Sequence, residues 1–216
     1  MTLPLKQDTA HIDLLCAKSP IIPVVAIERA EDAVPLAQAL SAGGIDIIEV
    51  TLRTHAALDA MAAIRKHVPQ MTVAAGTISN CEQYDAAVMA GASLVISPGM
   101  TQRLLEHALS GPAPLLPGIA TASELMTAQD LGYTRFKFFP AEAAGSIAML
   151  KALAGPFAHI KFCPTGGVSE QNVKHYLALD NVMCVGGSWL APSSSVNNQH
   201  WQQITAIAQQ SLAACR

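Results

Sequence analysis

Eight times along this chain, a short segment rich in β-branched and aromatic residues gives way to a longer Ala/Leu-rich stretch with helical spacing. The strand candidates are IIPVVAI (21–27), IDIIEVTL (45–52), TVAAGT (72–77), SLVISPG (93–99), PLLPGIA (114–120), RFKFFPA (135–141), HIKFCPTGG (159–167) and VMCVGGSWL (182–190). Helix candidates such as THAALDAMAAIRKHV and TASELMTAQDLG lie between them, and NNQHWQQITAIAQQSLAAC supplies the last. Ser79, Thr101, Thr121 and Ser169 are candidate N-caps, and Gly43, Gly91, Gly132 and Gly155 candidate C-terminal stops. Strand–helix repetition of this kind builds a parallel sheet, because parallel neighbours need a crossover connection between them.

Eight units predict an α/β fold, specifically a single (β/α)8 TIM barrel, with an extra N-terminal helix near residues 8–18 closing its bottom. A doubly wound open sheet is the rival, but the GxGxxG of a dinucleotide fold does not follow the first strand. With 216 residues and no linker or charge block, the chain reads as one domain spanning 1–216. A composition of 51% hydrophobic and 13% charged residues favours a large core over disorder. The formal charge of −3 provides no field for nucleic acid or anionic lipid, so neither is an expected partner. The run 21–27 is too short to span a bilayer and leads straight into Glu28 and Arg29, so the expected location is the cytoplasm. Five scattered cysteines form no CxxC and seven histidines form no HExxH; neither metal nor cofactor is expected.

In a barrel of this kind, polar residues at the C-terminal ends of strands build the active site. Alternation puts Ile47, Glu49, Thr51 and Arg53 on one face of the second strand and Ile48, Val50 and Leu52 on the other. The apolar face suits the helices, so Glu49 and Arg53 should point inward, either as an internal ion pair or as an acid/base and an anion fork. On the sixth strand, Arg135, Lys137 and Phe139 share a face opposite Phe136 and Phe138. An inward lysine is a candidate Schiff-base nucleophile, since burial disfavours its charged form and the neutral amine attacks carbonyls. Lys161 repeats the pattern, KFCP for KFFP, and periodicity does not choose between the two lysines.

PTGGV (164–168) and VGGSW (185–189) follow the seventh and eighth strand cores, where barrels bind phosphate through backbone N–H groups. Paired glycines let the backbone approach an anion, and Ser188 adds a hydroxyl. On residue type alone, Thr77 reads as a helix-entry hydroxyl, Glu142 as a solvated charge near a helix N-terminus, and Cys163 and Cys184 as small core residues. His55 and His159 have no identifiable partner.

Taken together, EVTLRT (49–54), GT (76–77), SPG (97–99), FKFFPAE (136–142), FCPTGG (162–167) and VGGSWL (185–190) resemble the family of 2-keto-3-deoxy-6-phosphogluconate (KDPG) and 4-hydroxy-2-oxoglutarate (KHG) aldolases, from about residue 12 to the C-terminus. The resemblance implies a metal-independent class I aldolase, usually a homotrimer, that cleaves the phosphorylated keto-deoxy acid to pyruvate and glyceraldehyde 3-phosphate in the Entner–Doudoroff route. It implies that Lys137, not Lys161, forms the Schiff base and that Glu49 is the general acid/base, acting through a water. It further implies that Arg53 and Thr77 hold the pyruvyl carboxylate and that Pro98 and Phe139 wall its pocket. Thr165 is then expected to contact substrate hydroxyls, favouring the gluconate-derived acid over its galactonate epimer, with Gly166, Gly167, Gly187 and Ser188 at the phosphate. Side activity on 4-hydroxy-2-oxoglutarate and oxaloacetate is expected. The rival readings are an aldolase for the galactonate epimer, and a phosphate-binding barrel isomerase or sensor without a covalent intermediate.

Overall fold

The structure, a computed structural model, describes residues 6–215. It is an α/β fold in which every strand pairing is parallel and the sheet is curled. Helix α1 (Thr9–Cys16) precedes β1 (Ile21–Val25); α2 (Ala33–Ala42), β2 (Ile47–Thr51), α3 (Ala57–His67), β3 (Thr72–Gly76), α4 (Cys81–Met89), β4 (Leu94–Ile96) and α5 (Gln102–Leu109) follow in strict alternation. The second half contains β5 (Leu115–Leu116), β6 (Gly118–Ile119), α6 (Ala122–Asp130), β7 (Arg135–Phe138), α7 (Ser146–Ala154), β8 (Lys161–Pro164), α8 (Val173–Leu177), β9 (Val185–Gly187), α9 (Ser193–Asn197) and α10 (Trp201–Ala214).

Each of the eight predicted strand segments contains a strand, and one contains two. PLLPGIA divides at Pro117, which has no N–H to donate to a ladder. Its two halves therefore serve different neighbours: β5 ends the six-stranded order β5-β4-β3-β2-β1-β9, and β6 begins the order β6-β7-β8. The Pro117 carbonyl is still used, accepting from the Lys137 N–H at 2.9 Å. Two isolated parallel bridges, Phe162↔Val182 and Thr165↔Gly186, join the β8 segment to the β9 segment. VMCVGGSWL thus contributes only three strand residues, Val185–Gly187, with Val182 in a lone bridge.

The strands are buried along both faces, as parallel strands flanked by helices must be. Ile48, Val50, Phe136, Phe138 and Phe162 are all fully buried on the helix side of the sheet or among its neighbours. Thr101 and Thr121 cap their helices as the sequence predicts, the latter in a reciprocal capping box with Glu124. At α4 the cap is Asn80 rather than Ser79, and at α8 it falls at Asn172 rather than Ser169. Gly91 and Gly132 take φ of +93° and +84° just past their helices, where a side chain would be strained.

Gln7 and α1 are fastened across the N-terminal ends of the strands. The buried Gln7 amide donates to the Leu115 and Arg135 carbonyls at 2.8 and 2.9 Å and accepts from the Thr134 and Arg135 N–H groups. Asp13 of α1 holds the Arg135 guanidinium through two contacts of 2.7 Å. Arg135 thus faces the same way as Lys137, but at the opposite end of the strand from the loops. Among the described residues, no helix is long and apolar enough to cross a membrane.

Three tyrosines lie wholly inside. The Tyr133 hydroxyl donates to the Leu105 carbonyl, Tyr84 to that of Ala113 and Tyr176 to the Glu142 carboxylate. Burial, first of all, pushes each phenol upward, that of Tyr176 to about 12. The folded state therefore keeps protons that the unfolded chain releases near pH ~10. Because stability falls with pH wherever the unfolded state binds fewer protons, it should be complete below about pH 10 and decline steadily toward pH 12. Urea unfolding midpoints across that range check this, and replacing Tyr133 by Phe should flatten the decline.

Candidate active site

Strand alternation and register bring Lys137 and Glu49 together from opposite sides of the sheet. Glu49 sits at the centre of β2 and Lys137 at the third position of β7, 88 residues further on, and the ammonium donates to Glu49 Oε1 at 2.9 Å. Lys137 retains 5% of its exposure and Glu49 2%, so both charges lie out of bulk solvent. The Lys137 Nζ also stands 5.3 Å from the centroid of the Phe139 ring, within cation–π range. The Gly76 α-carbon closes over the carboxylate, and a Cβ there would run into Glu49 Oε1 and come within 2.7 Å of its Cγ. Gly76 is thus a site residue that side-chain chemistry does not flag; the GT pair at 76–77 is its sequence signal.

Register separates the two candidate lysines. In the β7–β8 ladder Lys137 stands level with Cys163, while Lys161 stands level with Arg135 near the α1 end. Lys161 spends its ammonium on the Asp180 carbonyl at 2.6 Å, away from any buried carboxylate. Cys163 and Cys184 are buried core residues, as expected.

Arg53 lies just beyond β2 and is exposed. The internal Glu49–Arg53 ion pair considered from alternation does not form, because Lys137 occupies Glu49 and the chain turns out of the strand at Leu52. The Arg53 Nε instead donates to Thr51 Oγ1 at 3.1 Å, and Thr51 in turn donates to the Val25 carbonyl at 2.8 Å. Thr51 therefore anchors the guanidinium and leaves its terminal nitrogens without a protein partner among the described residues. Thr77, at the end of β3, has φ +66°, a left-handed conformation that costs a β-branched residue about 1–3 kcal/mol. Strain of this kind collects where a side chain is held for a purpose. Half-buried Pro98 packs its carbonyl against the Gly118 α-carbon of β6, and half-buried Phe139 directly follows β7.

The two glycine-bearing segments meet at Thr165 and Gly186. The Thr165↔Gly186 bridge sets the turn after β8 against β9, with the Gly186 α-carbon touching Thr165 Oγ1. Thr165 is buried, and its hydroxyl points toward the Cys163 carbonyl at 3.5 Å. Gly166 and Gly167 have φ of +96° and +83°, and their N–H groups donate to no protein acceptor among the described residues. Gly187 is buried under the Trp189 ring, whereas Ser188 is exposed beside it. His159 meets the Gln129 side chain at 3.2 Å, and His55 is exposed. No group of three or more His, Cys, Asp or Glu side chains suited to a metal ion occurs among the described residues.

A buried lysine–carboxylate pair on parallel strands, with a strained threonine, an anchored arginine and a double-glycine turn at the strand ends, is a layout suited to carbonyl chemistry on a curled parallel α/β sheet. Residues 12–207 match the KDPG and KHG aldolase family, and the chain belongs to that family. It is 48% identical to the KHG/KDPG aldolase of Escherichia coli (strain K12) over 212 residues, which is 98% of this chain and all of that protein. Among solved structures, it is similar to the KDPG aldolase of Legionella pneumophila with pyruvate captured as a covalent carbinolamine, at TM-score 0.91 and 47% identity over 93% of this chain and 97% of that one. It is also similar to the 2-keto-3-deoxy-6-phosphogluconate aldolase of Zymomonas mobilis ZM4 with 3-phosphoglycerate, at TM-score 0.88 and 44% identity, covering 95% and 96% of the two chains.

Removing one member of the Lys137–Glu49 pair strands the other charge in the interior. Lys137→Met should cost about 3–5 kcal/mol in urea unfolding at neutral pH. The double variant Lys137→Met/Glu49→Gln should recover much of that loss, since it leaves no buried charge unpaired.

Proposed function

We propose that this chain is a class I aldolase that cleaves 2-dehydro-3-deoxy-6-phosphogluconate to pyruvate and glyceraldehyde 3-phosphate, with Lys137 as the Schiff-base nucleophile and Glu49 as the acid/base. The observation that carries this reading is the buried contact of 2.9 Å between Lys137 Nζ and Glu49 Oε1. Nucleophilic attack needs a neutral amine, and Glu49 is the group in position to take its proton. The Lys137 nitrogen adds to the C2 carbonyl, and Glu49 returns the proton to the carbinolamine hydroxyl, which leaves as water to give an iminium and a carboxylate again free to act as base. Glu49 then accepts the proton of the C4 hydroxyl while the C3–C4 electron pair moves toward the iminium nitrogen. Glyceraldehyde 3-phosphate departs, the enamine takes a proton at C3, and water releases pyruvate and restores the lysine.

Placement supports the remaining roles. Arg53, anchored by Thr51, and the strained Thr77 hold the pyruvyl carboxylate; Pro98 and Phe139 wall the pyruvyl pocket. Gly166 and Gly167, with unengaged N–H groups, bind the phosphate together with Gly187 and Ser188. The buried Thr165 hydroxyl contacts the substrate hydroxyls and supports the gluconate-derived acid over its galactonate epimer. The architecture is a single (β/α)8 TIM barrel over residues 1–216, of which 1–5 and 216 lie outside the described residues. Its β5 and β6 are one strand broken at Pro117, its last seam is the Thr165↔Gly186 bridge, and α1 is the extra helix at the bottom. A cytoplasmic homotrimer completes the reading; Leu14, Met89 and Met126, large apolar side chains at 66%, 89% and 56% exposure, support contacts between copies.

Cleavage of 4-hydroxy-2-oxoglutarate and decarboxylation of oxaloacetate need only the pyruvyl half of the site. Steady-state assays on these two substrates and on the phosphorylated keto-deoxy acid test the reading together. Lys137→Ala should abolish all three activities, and persistence of any one at wild-type rate would assign it to another site.

A further inference from the structure

Glu142 is exposed, as expected of a solvated charge near a helix N-terminus, and it is also the hub of a polar cluster beside the double-glycine turn. Glu142 Oε1 accepts from the Tyr176 hydroxyl at 2.5 Å, from Ser146 Oγ at 3.0 Å and from Asn172 Nδ2 at 3.3 Å. Asn172 Nδ2 also donates to the Gly167 carbonyl at 3.1 Å, and its Oδ1 accepts from the Ser169 N–H at 2.8 Å. On the backbone, the Ala141 and Glu142 N–H groups donate to the Thr165 and Gly166 carbonyls at 2.8 and 3.0 Å. The Gly167 α-carbon rests on the Glu142 stem, where a Cβ would come within 2.6 Å of the Glu142 Cβ. Ser146 has φ +54°, directly after Gly145 at +106°, so strained backbone delivers its hydroxyl to the cluster.

A carboxylate near a phosphate site opposes the anion it borders, so charge alone gives no reason for it there. Its geometry does: one oxygen gathers three donors from α7 and α8, and the same residue's backbone and stem grip both glycines. We propose that Glu142 is a positioning residue that clasps the Thr165–Gly167 turn, through Tyr176, Ser146 and Asn172, in the conformation that receives the substrate phosphate. This rests on the aldolase reading above and adds to it a determinant of selectivity for phosphorylated over unphosphorylated substrate.

The test compares kcat/KM for 2-dehydro-3-deoxy-6-phosphogluconate with that for 2-dehydro-3-deoxygluconate, the same skeleton without phosphate. Exchange of pyruvate methyl protons for deuterium is followed in parallel by NMR, because it reports the Lys137 enamine with no phosphate involved. Glu142→Ala should lower the preference for the phosphorylated substrate by about tenfold, through KM more than kcat, while pyruvate exchange stays within about twofold. Asn172→Ala should act in the same direction. Glu142→Gln, whose amide oxygen still accepts, should restore most of the preference. Equal losses on both substrates, or an unchanged preference with normal pyruvate exchange, would overturn the clasp alone. Absence of pyruvate exchange in the wild-type protein would overturn the aldolase reading and the clasp with it.

Discussion

Lys137 and Glu49 form an ion pair at 2.9 Å in a predominantly aliphatic and aromatic interior, and the surrounding structure is arranged around that contact. Removing two charges from water costs several kcal/mol each, and their mutual attraction offsets this only with good geometry. Here the geometry comes from backbone. Gly76 closes over the carboxylate with no side chain to displace it, and the Lys137 N–H is fixed to Pro117 while its ammonium crosses to β2. Such a pair is a poor device for stability and a good one for chemistry. A proton acceptor already touches the amine.

Parallel pairing then decides what else can reach the site. Every strand delivers its C-terminal end to the same side, so Arg53, Thr77, Pro98, Phe139, Thr165 and Ser188 gather there from six segments distant in sequence. The N-terminal ends go to the other side, where Gln7, Asp13 and Arg135 satisfy one another. Arg135 and Lys137 share a strand face yet have unrelated partners, because two residues of rise, about 6.6–6.8 Å, separate the Asp13–Arg135 pair from the buried Lys137–Glu49 pair. The broken segment at Pro117 fits the same logic. It gives one half to β4 and the other to β7, and so carries the curvature across the place where a continuous ladder would stop.

Much of this was legible in the sequence because it rests on period and punctuation. The alternation of β-rich and helical segments located all eight strand regions, and the inward placement of Glu49 and Lys137 follows from a period of two. Pro117 stood in view inside its segment, yet its consequence depends on which neighbours each half pairs with, and that is a tertiary fact. The choice of Asn80 over Ser79 as cap is a one-residue competition between similar side chains. Arg53 was expected to turn inward with Glu49, but alternation lapses once the chain leaves the strand. Gly76 and Glu142 were hidden for a common reason: each acts through close approach to a residue far away in sequence, Gly76 over Glu49 and Glu142 under Gly167. Composition and spacing do not reveal such approaches, even where, as in the GT pair at 76–77, the residue stands in a recognisable motif. The preference between Lys137 and Lys161 was likewise undecided by periodicity, whereas register places only Lys137 opposite a buried carboxylate.

The most direct measurement is the mass of the intact protein after incubation with pyruvate and sodium borohydride, followed by peptide mapping. The account predicts one reduced pyruvyl adduct per chain, on Lys137. No adduct, or an adduct on Lys161, would contradict it and leave the buried pair as a structural contact.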